Sequence, residues 1–153
     1  MCGYNIINMS HTIYEITMLT CKEARLDEIL IRSIIAKDKK EAIMKFVVMY
    51  AEIYCWVKYF LNELKELEDF NDDTEMIETI YNEFINDYTD EIRVASTNKY
   101  LNEISDLLLK YYSKGYEQAF YIREYKLTIE NNTITSFELQ DEDANSTYQH
   151  IVR

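Results

Sequence analysis

At 153 residues with 48% hydrophobic content, the chain is sized for one domain with a sizeable core. It carries 28 acidic against 16 basic residues, a net charge of −12, which argues against a conventional nucleic-acid binder with a basic face. Two Gly and no Pro exclude a glycine-rich phosphate loop, and three Cys (Cys2, Cys21, Cys55) without metal-ligand spacing read as free thiols in a reducing cytoplasm.

Residues 1–10 carry no pattern and read as a flexible N-terminus, and no basic stretch followed by an apolar run marks a secretory signal. Thr12 to Thr20 alternates, with Tyr14, Ile16 and Met18 on one face, which is the pattern of a half-buried strand. Cys21 to Asp27 is polar and reads as a connection. Glu28 to Ala36 is β-branched and apolar, and forms a second, antiparallel strand in this reading. A helical start around Lys22–Leu30 competes with it.

Asp38-Lys39-Lys40-Glu41 is a capping box, in which Asp38 accepts from an early helical N–H and Glu41 reaches back. Ile43, Phe46, Val47, Tyr50, Ile53, Tyr54, Val57, Phe60, Leu61, Leu64 and Leu67 follow at three-four spacing. This predicts one long helix from Asp38 to about Glu68, ~45 Å in length. Met44, Val48, Met49, Ala51, Cys55 and Trp56 widen its apolar surface around most of the circumference. Such a helix is covered on several sides, either as the spine of the domain or against a second copy. Lys45, Glu52 and Lys58 argue against a membrane span, at roughly 2.5–3.5 kcal/mol each near a bilayer centre.

Phe70-Asn71-Asp72-Asp73 reads as a turn, with Asp72 or Asp73 capping a second helix. That helix buries Met76, Ile77, Ile80, Tyr81, Phe84, Ile85 and Tyr88. The period breaks over Thr89 to Asn98, and Ser96 or Thr97 is expected to cap a third helix. Its buried face runs Tyr100, Leu101, Ile104, Leu107, Leu108, Tyr111 and Tyr112. Gly115 stands where a left-handed C-cap is wanted. Strands are expected at Phe120 to Ile129 and Ile134 to Leu139, joined by Glu130-Asn131-Asn132-Thr133, since Asn tolerates positive φ. Residues 140–153 are polar and acidic and read as a tail. The expected fold is α+β. The N- and C-terminal hairpins form a small antiparallel sheet, and a three-helix insert packs on one side around a long central helix, within a single domain over 11–139.

Chemistry is sparse. His11 and His150 lie near opposite ends and have no local catalytic partner. Cys55 reads as an inert buried thiol because no cationic neighbour would lower its pKa. Glu52 reads as part of a narrow polar stripe with Lys45. No Glu-x-x-His pair supports a di-iron bundle. The expectation is a binding protein and not an enzyme, with no cofactor and no metal.

The lead feature is an acidic belt from Asn62 to Glu91, where Lys65 is the only base, so that nearly all of the net charge of −12 lies there. A structural helix normally mixes Glu with Lys for i,i+4 support. Glu63, Glu66, Asp72, Asp73, Glu75, Glu78, Glu83 and Asp87 are the candidate partner-binding residues, with Tyr112, Tyr116 and Tyr121 as aromatic contacts. Carboxylates along one helical side recur at ~5–6 Å, of the order of phosphate spacing along a nucleic-acid strand. In general character the chain resembles small acidic proteins of phages and mobile elements that block host nucleases, restriction or CRISPR effectors. The likeness is compositional, spans the whole chain and assigns no residue a role. The expected partner is a basic protein, a nucleic-acid-binding effector or nuclease, met by nucleic-acid mimicry, without direct nucleic-acid binding or a membrane. An immunity protein or antitoxin is the alternative, and a homodimeric assembly subunit paired through the long helix is another.

Overall fold

The computed structural model describes residues 9–22, 25–51, 56–85, 89–116 and 120–140. Four strands, β1 (Met9–Lys22), β2 (Arg25–Ile35), β3 (Phe120–Glu130) and β4 (Thr133–Leu139), form one antiparallel sheet in the order β2-β1-β3-β4. The terminal hairpins therefore share a sheet, as expected. The strands of the first hairpin run further than expected. Cys21 pairs with Leu26 and Lys22 with Arg25, past a bulge at Thr20/Cys21, so most of the polar stretch read as a connection is ladder. Backbone hydrogen bonding does not require apolar side chains, which is why polarity misplaced this boundary. Met9 and Ser10 also belong to β1, opposite Ile129 and Thr128. At the other end the Gln140 N–H donates to the Glu124 carbonyl at 2.7 Å. Residues 1–8 and 141–153, with Cys2 and His150, lie outside the described residues.

The turn between β3 and β4 forms as its composition requires, with Asn131 at φ 54° and Asn132 at φ 65°.

Among the described residues the insert holds five α-helices instead of three. The long central helix is two: α1 (Lys39–Met49) and α2 (Trp56–Leu64). α1 starts as predicted, with Asp38 accepting from the Glu41 N–H at 2.8 Å, while Glu41 reaches one residue further back, to the Lys37 N–H at 2.7 Å. It ends at Tyr50, whose backbone leaves the helical region at φ −108°, ψ 15°. The Tyr50 carbonyl accepts from the buried Trp56 indole Nε1–H at 3.0 Å, which satisfies one of the acceptors orphaned at the helix end. Dividing the helix lets each half bury its wide apolar surface on different neighbours. α1 lies against β1, β2 and the last helix of the insert, and α2 against β1 and the next helix. The positions Glu52, Tyr54 and Cys55 lie outside the described residues.

A 3-10 segment (Glu68–Asp73) replaces the expected turn and leads into α3 (Thr74–Phe84). Asp73 stands at the N-cap of α3, but its carboxylate makes no capping bond and instead accepts from Lys110 Nζ at 2.7 Å. The third helix is also two, α4 (Asp90–Lys99) and α5 (Leu101–Ser113), divided at Tyr100. Ser96 and Thr97 do not cap. They are buried inside α4, whose cap is Thr89, accepting from the Ile92 N–H at 3.2 Å. Asp90 and Glu91 in the first turn complement the helix dipole, a start signal present in a stretch too poor in apolar residues to show a period.

Tyr14, Ile16, Met18, Leu30, Ile34, Phe120 and Ile122 form the buried floor of the sheet. Phe46, Leu61, Ile104 and Leu108 meet them from the helices and are fully buried. α1, α2 and α5 lie on the strands, while α3 packs on α2, the 3-10 segment and α4. Among the described residues, no helix is long and apolar enough to cross a membrane.

Candidate functional site

Leu61, Leu64, Leu67 and Phe70 recur at every third position through the end of α2 and into the 3-10 segment. Leu61, Leu64 and Phe70 are buried and Leu67 packs partly against the core. A period of three is that of a 3-10 turn, and the backbone follows it. The Glu66 N–H donates to the Glu63 carbonyl at 3.0 Å, Leu67 to Leu64 at 3.1 Å, and Phe70 to Leu67 at 3.1 Å. With the apolar residues turned inward, the residues between them face solvent, and most of these are acids. Glu63, Glu66, Glu68, Asp69, Asp72 and Glu75 are all exposed. The belt is therefore not a straight row on one helix. Its densest part is a corner, where α2 ends and α3 begins.

Three groups from α5 and its C-terminal turn hold this corner. The Tyr111 hydroxyl donates to Glu63 Oε2 at 2.8 Å, the Tyr116 hydroxyl to Asp69 Oδ2 at 2.8 Å, and Lys110 Nζ to Asp73 Oδ2 at 2.7 Å. Lys110 also lies 4.8 Å from the Phe70 ring centre. Burial, and then the hydrogen bond to Glu63, push the Tyr111 hydroxyl well above its ordinary pKa. The hydrogen bond to Asp69 does the same for Tyr116, with burial and the charges of Asp69 and Glu68 adding to it. Both hydroxyls thus stay donors at neutral pH.

The candidate residues divide by their partners. Glu78 pairs with Lys65 at 3.4 Å and Glu83 with Lys99 at 3.6 Å, so α4 and α5 supply bases that the linear belt lacks. Glu63 is held by Tyr111. Glu66, Asp72 and Glu75 have neither an ion-pair partner nor a side-chain hydrogen bond among the described residues. Asp87 lies outside the described residues. Glu68 and Asp69 belong to the corner, although the sequence reading did not select them; the signal that marks them is their place beside Phe70, whose burial fixes which way they face.

The three candidate tyrosines are placed differently from one another. Tyr121 is buried, and its ring meets that of Tyr112 edge-on at 6.0 Å. The Tyr112 hydroxyl donates to the Ile122 carbonyl at 3.1 Å, and Lys39 lies over its ring at 5.5 Å. Tyr116 adjoins the acids, through its bond to Asp69.

The last turn of α2 holds Glu63 and no basic residue, and Glu66 follows two residues past its end, while Lys65 between them is drawn to Glu78 at 3.4 Å. A helix C-terminus carries partial negative charge, so acids there are unfavourable by roughly 0.3–1 kcal/mol each at low salt. Glu75 stands in the first turn of α3, where a negative charge is favourable.

Elsewhere, Glu41, Met44, Lys45, Val48, Met49 and Leu101 line an open groove between α1 and α5. Its polar groups are committed locally, Glu41 to the Lys37 N–H and Lys45 to the Ile35 carbonyl. His11 is half-buried in β1, opposite Leu127. Among the described residues no group of His, Cys, Asp and Glu is arranged to hold a metal ion.

Comparison with protein-family models, curated proteins and solved structures finds no match to this chain.

Proposed function

We propose that this chain is a binding protein whose acidic corner engages a basic, nucleic-acid-handling protein, presenting carboxylates where that partner takes phosphates. The observation that carries this reading is the placement of Glu63 in the last turn of α2 and Glu66 just past it, against the helix dipole, where the adjacent base, Lys65, is paired with Glu78 on α3. A face that served solubility alone has no need to concentrate charge where it weakens the fold, because acids spread over the surface do that work equally well. The bonds from Tyr111, Tyr116 and Lys110 add to it, since they hold the repelling carboxylates in one geometry before any partner arrives. Glu66, Asp72 and Glu75 have no ion-pair or side-chain hydrogen-bond partner among the described residues, and they supply the attraction in this reading.

Association of this kind is salt-sensitive, chiefly through the on-rate. The test is capture of partners from cells with the tagged native chain and with Glu66→Lys, Asp72→Lys and Glu75→Lys combined. A basic nucleic-acid-binding protein retained by the native chain, lost with the triple variant and displaced by nucleic acid supports the reading. Equal capture by both forms, or capture that nucleic acid does not compete, overturns it.

A further inference from the structure

The helices cover one face of the sheet, and the register defines the other. β1 residues Ile13, Glu15 and Thr17 stand opposite Ile35, Ser33 and Ile31 on β2, and opposite Tyr125, Arg123 and Tyr121 on β3. Across β3 and β4, Leu127 stands opposite Phe137. An antiparallel sheet with one face in water normally shows polar residues there. This one does not. Ile31 is 53% exposed, Ile35 54% and Phe137 55%, and the Phe137 ring stacks on Tyr125 with centroids 4.7 Å apart.

We infer that this face is a homodimer interface, on which a second copy of the chain packs sheet to sheet about a two-fold axis.

Three observations select a second copy as the occupant. The first is area. Four strands at ~4.8 Å spacing and roughly ten residues at ~3.3 Å rise give a face of roughly 600 Å² in projection. Side-chain relief raises its accessible area toward the ~800 Å² per partner of a standard interface. The second is charge. Glu15 and Arg123 stand opposite one another on the two inner strands, β1 and β3, and carry opposite signs. A two-fold axis through the middle of the sheet brings Arg123 of each copy toward Glu15 of the other, so the surface is complementary to itself. The third is position. The acidic corner belongs to the 3-10 segment and α3, and α3 packs on α2 and α4 in the layer beyond the helices that lie on the strands. Two copies joined through their sheets keep these corners on opposite outer sides, so a chain of net charge −12 dimerises without opposing its own charge. The packing is that of an aligned β-sandwich, with the sheets ~10 Å apart.

The test is sedimentation velocity of the full chain across concentration, at low and high salt. The expected result is a species of twice the chain mass that salt does not dissociate. Ile31→Lys with Phe137→Lys changes two exposed side chains, so the fold is retained by circular dichroism while the mass falls to that of one chain. Glu66→Lys, Asp72→Lys and Glu75→Lys combined leave the dimer intact, which separates this inference from the proposed function. A native chain that is monomeric at every concentration overturns it, as when residues outside the described ones cover the face. A dimer that survives the Ile31 and Phe137 changes, or that dissociates in high salt, also overturns it.

Discussion

Tyr111 and Tyr116 stack with ring centroids 5.1 Å apart and planes 20° from parallel. They are brought together by the way α5 ends. The Tyr116 N–H donates to the Tyr111 carbonyl at 3.2 Å and the Gly115 N–H to the Tyr112 carbonyl at 3.0 Å, the paired bonds of a Schellman motif with its side-chain contact. Each hydroxyl then donates to a different acid of the corner, Glu63 and Asp69. A helix terminus on one element thus sets the shape of a charged surface built by two others.

Tyr111→Phe keeps the ring and loses the donor. The expected cost is about 0.5–1 kcal/mol, less than for a buried bond to a charged group because Glu63 is exposed to water. Urea unfolding at neutral pH measures it. A cost above that of Tyr111→Ala, which also empties the ring site, would show that the ring is not the main contribution.

The same residue sets an alkaline limit. The folded state holds the Tyr111 proton above the ordinary tyrosine value of 10.0, so the unfolded chain releases it first. Its contribution is complete below that value and declines as pH rises past it. Tyr14, raised by burial and the charges of Glu124 and Asp38, and Tyr116 act in the same direction. Urea midpoints between about pH 8 and pH 11 are expected to fall for the native chain and to fall less for Tyr111→Phe.

Gly115 adopts φ +93°, and a Cβ added there would meet nothing within 4 Å. The penalty for Gly115→Ala is therefore backbone strain alone, about 1–2 kcal/mol, and Gly115→Asn is expected to cost less. Equal denaturation midpoints for the two variants would contradict this account.

Glu66→Lys is expected to stabilise the chain by about 0.3–0.5 kcal/mol, since it replaces an acid with a base at the C-terminal end of α2. Glu75→Lys, at the favourable end of α3, is expected to destabilise by a similar amount. Both weaken association with a basic partner if the corner recognises one. A gain in stability accompanied by a loss in binding at Glu66 would mark a residue retained for function. Thermal unfolding combined with a binding titration reads both quantities on one sample.

Asn131 and Asn132 both hold positive φ, so Asn132→Gly is expected to gain a few tenths of a kcal/mol, and Asn131→Val to lose about 1–2 kcal/mol. Thermal unfolding midpoints moving in the same direction for both would refute the turn assignment.

Local chemistry was enough to place many features. The Asp38 cap, the Gly115 terminus and the Asn131-Asn132 turn each follow from one residue's backbone preference or hydrogen-bonding reach, and tertiary packing left them unchanged. The alternation of Tyr14, Ile16 and Met18 identified the buried side of β1, because a strand offers each residue only two directions. What lay beyond reach were the decisions that depend on distant partners. Apolar periodicity continues through Tyr50 and Ala51, so the break there is visible only once the Trp56 indole is seen to take the Tyr50 carbonyl. Which acids stand alone was likewise hidden, because Lys99 and Lys110 neutralise Glu83 and Asp73 from helices remote in sequence. Net charge is a sum over the chain and reads directly from composition. The pairing of charges is a matter of a few ångströms, and only the folded arrangement brings residues such as Asp73 and Lys110 within that distance.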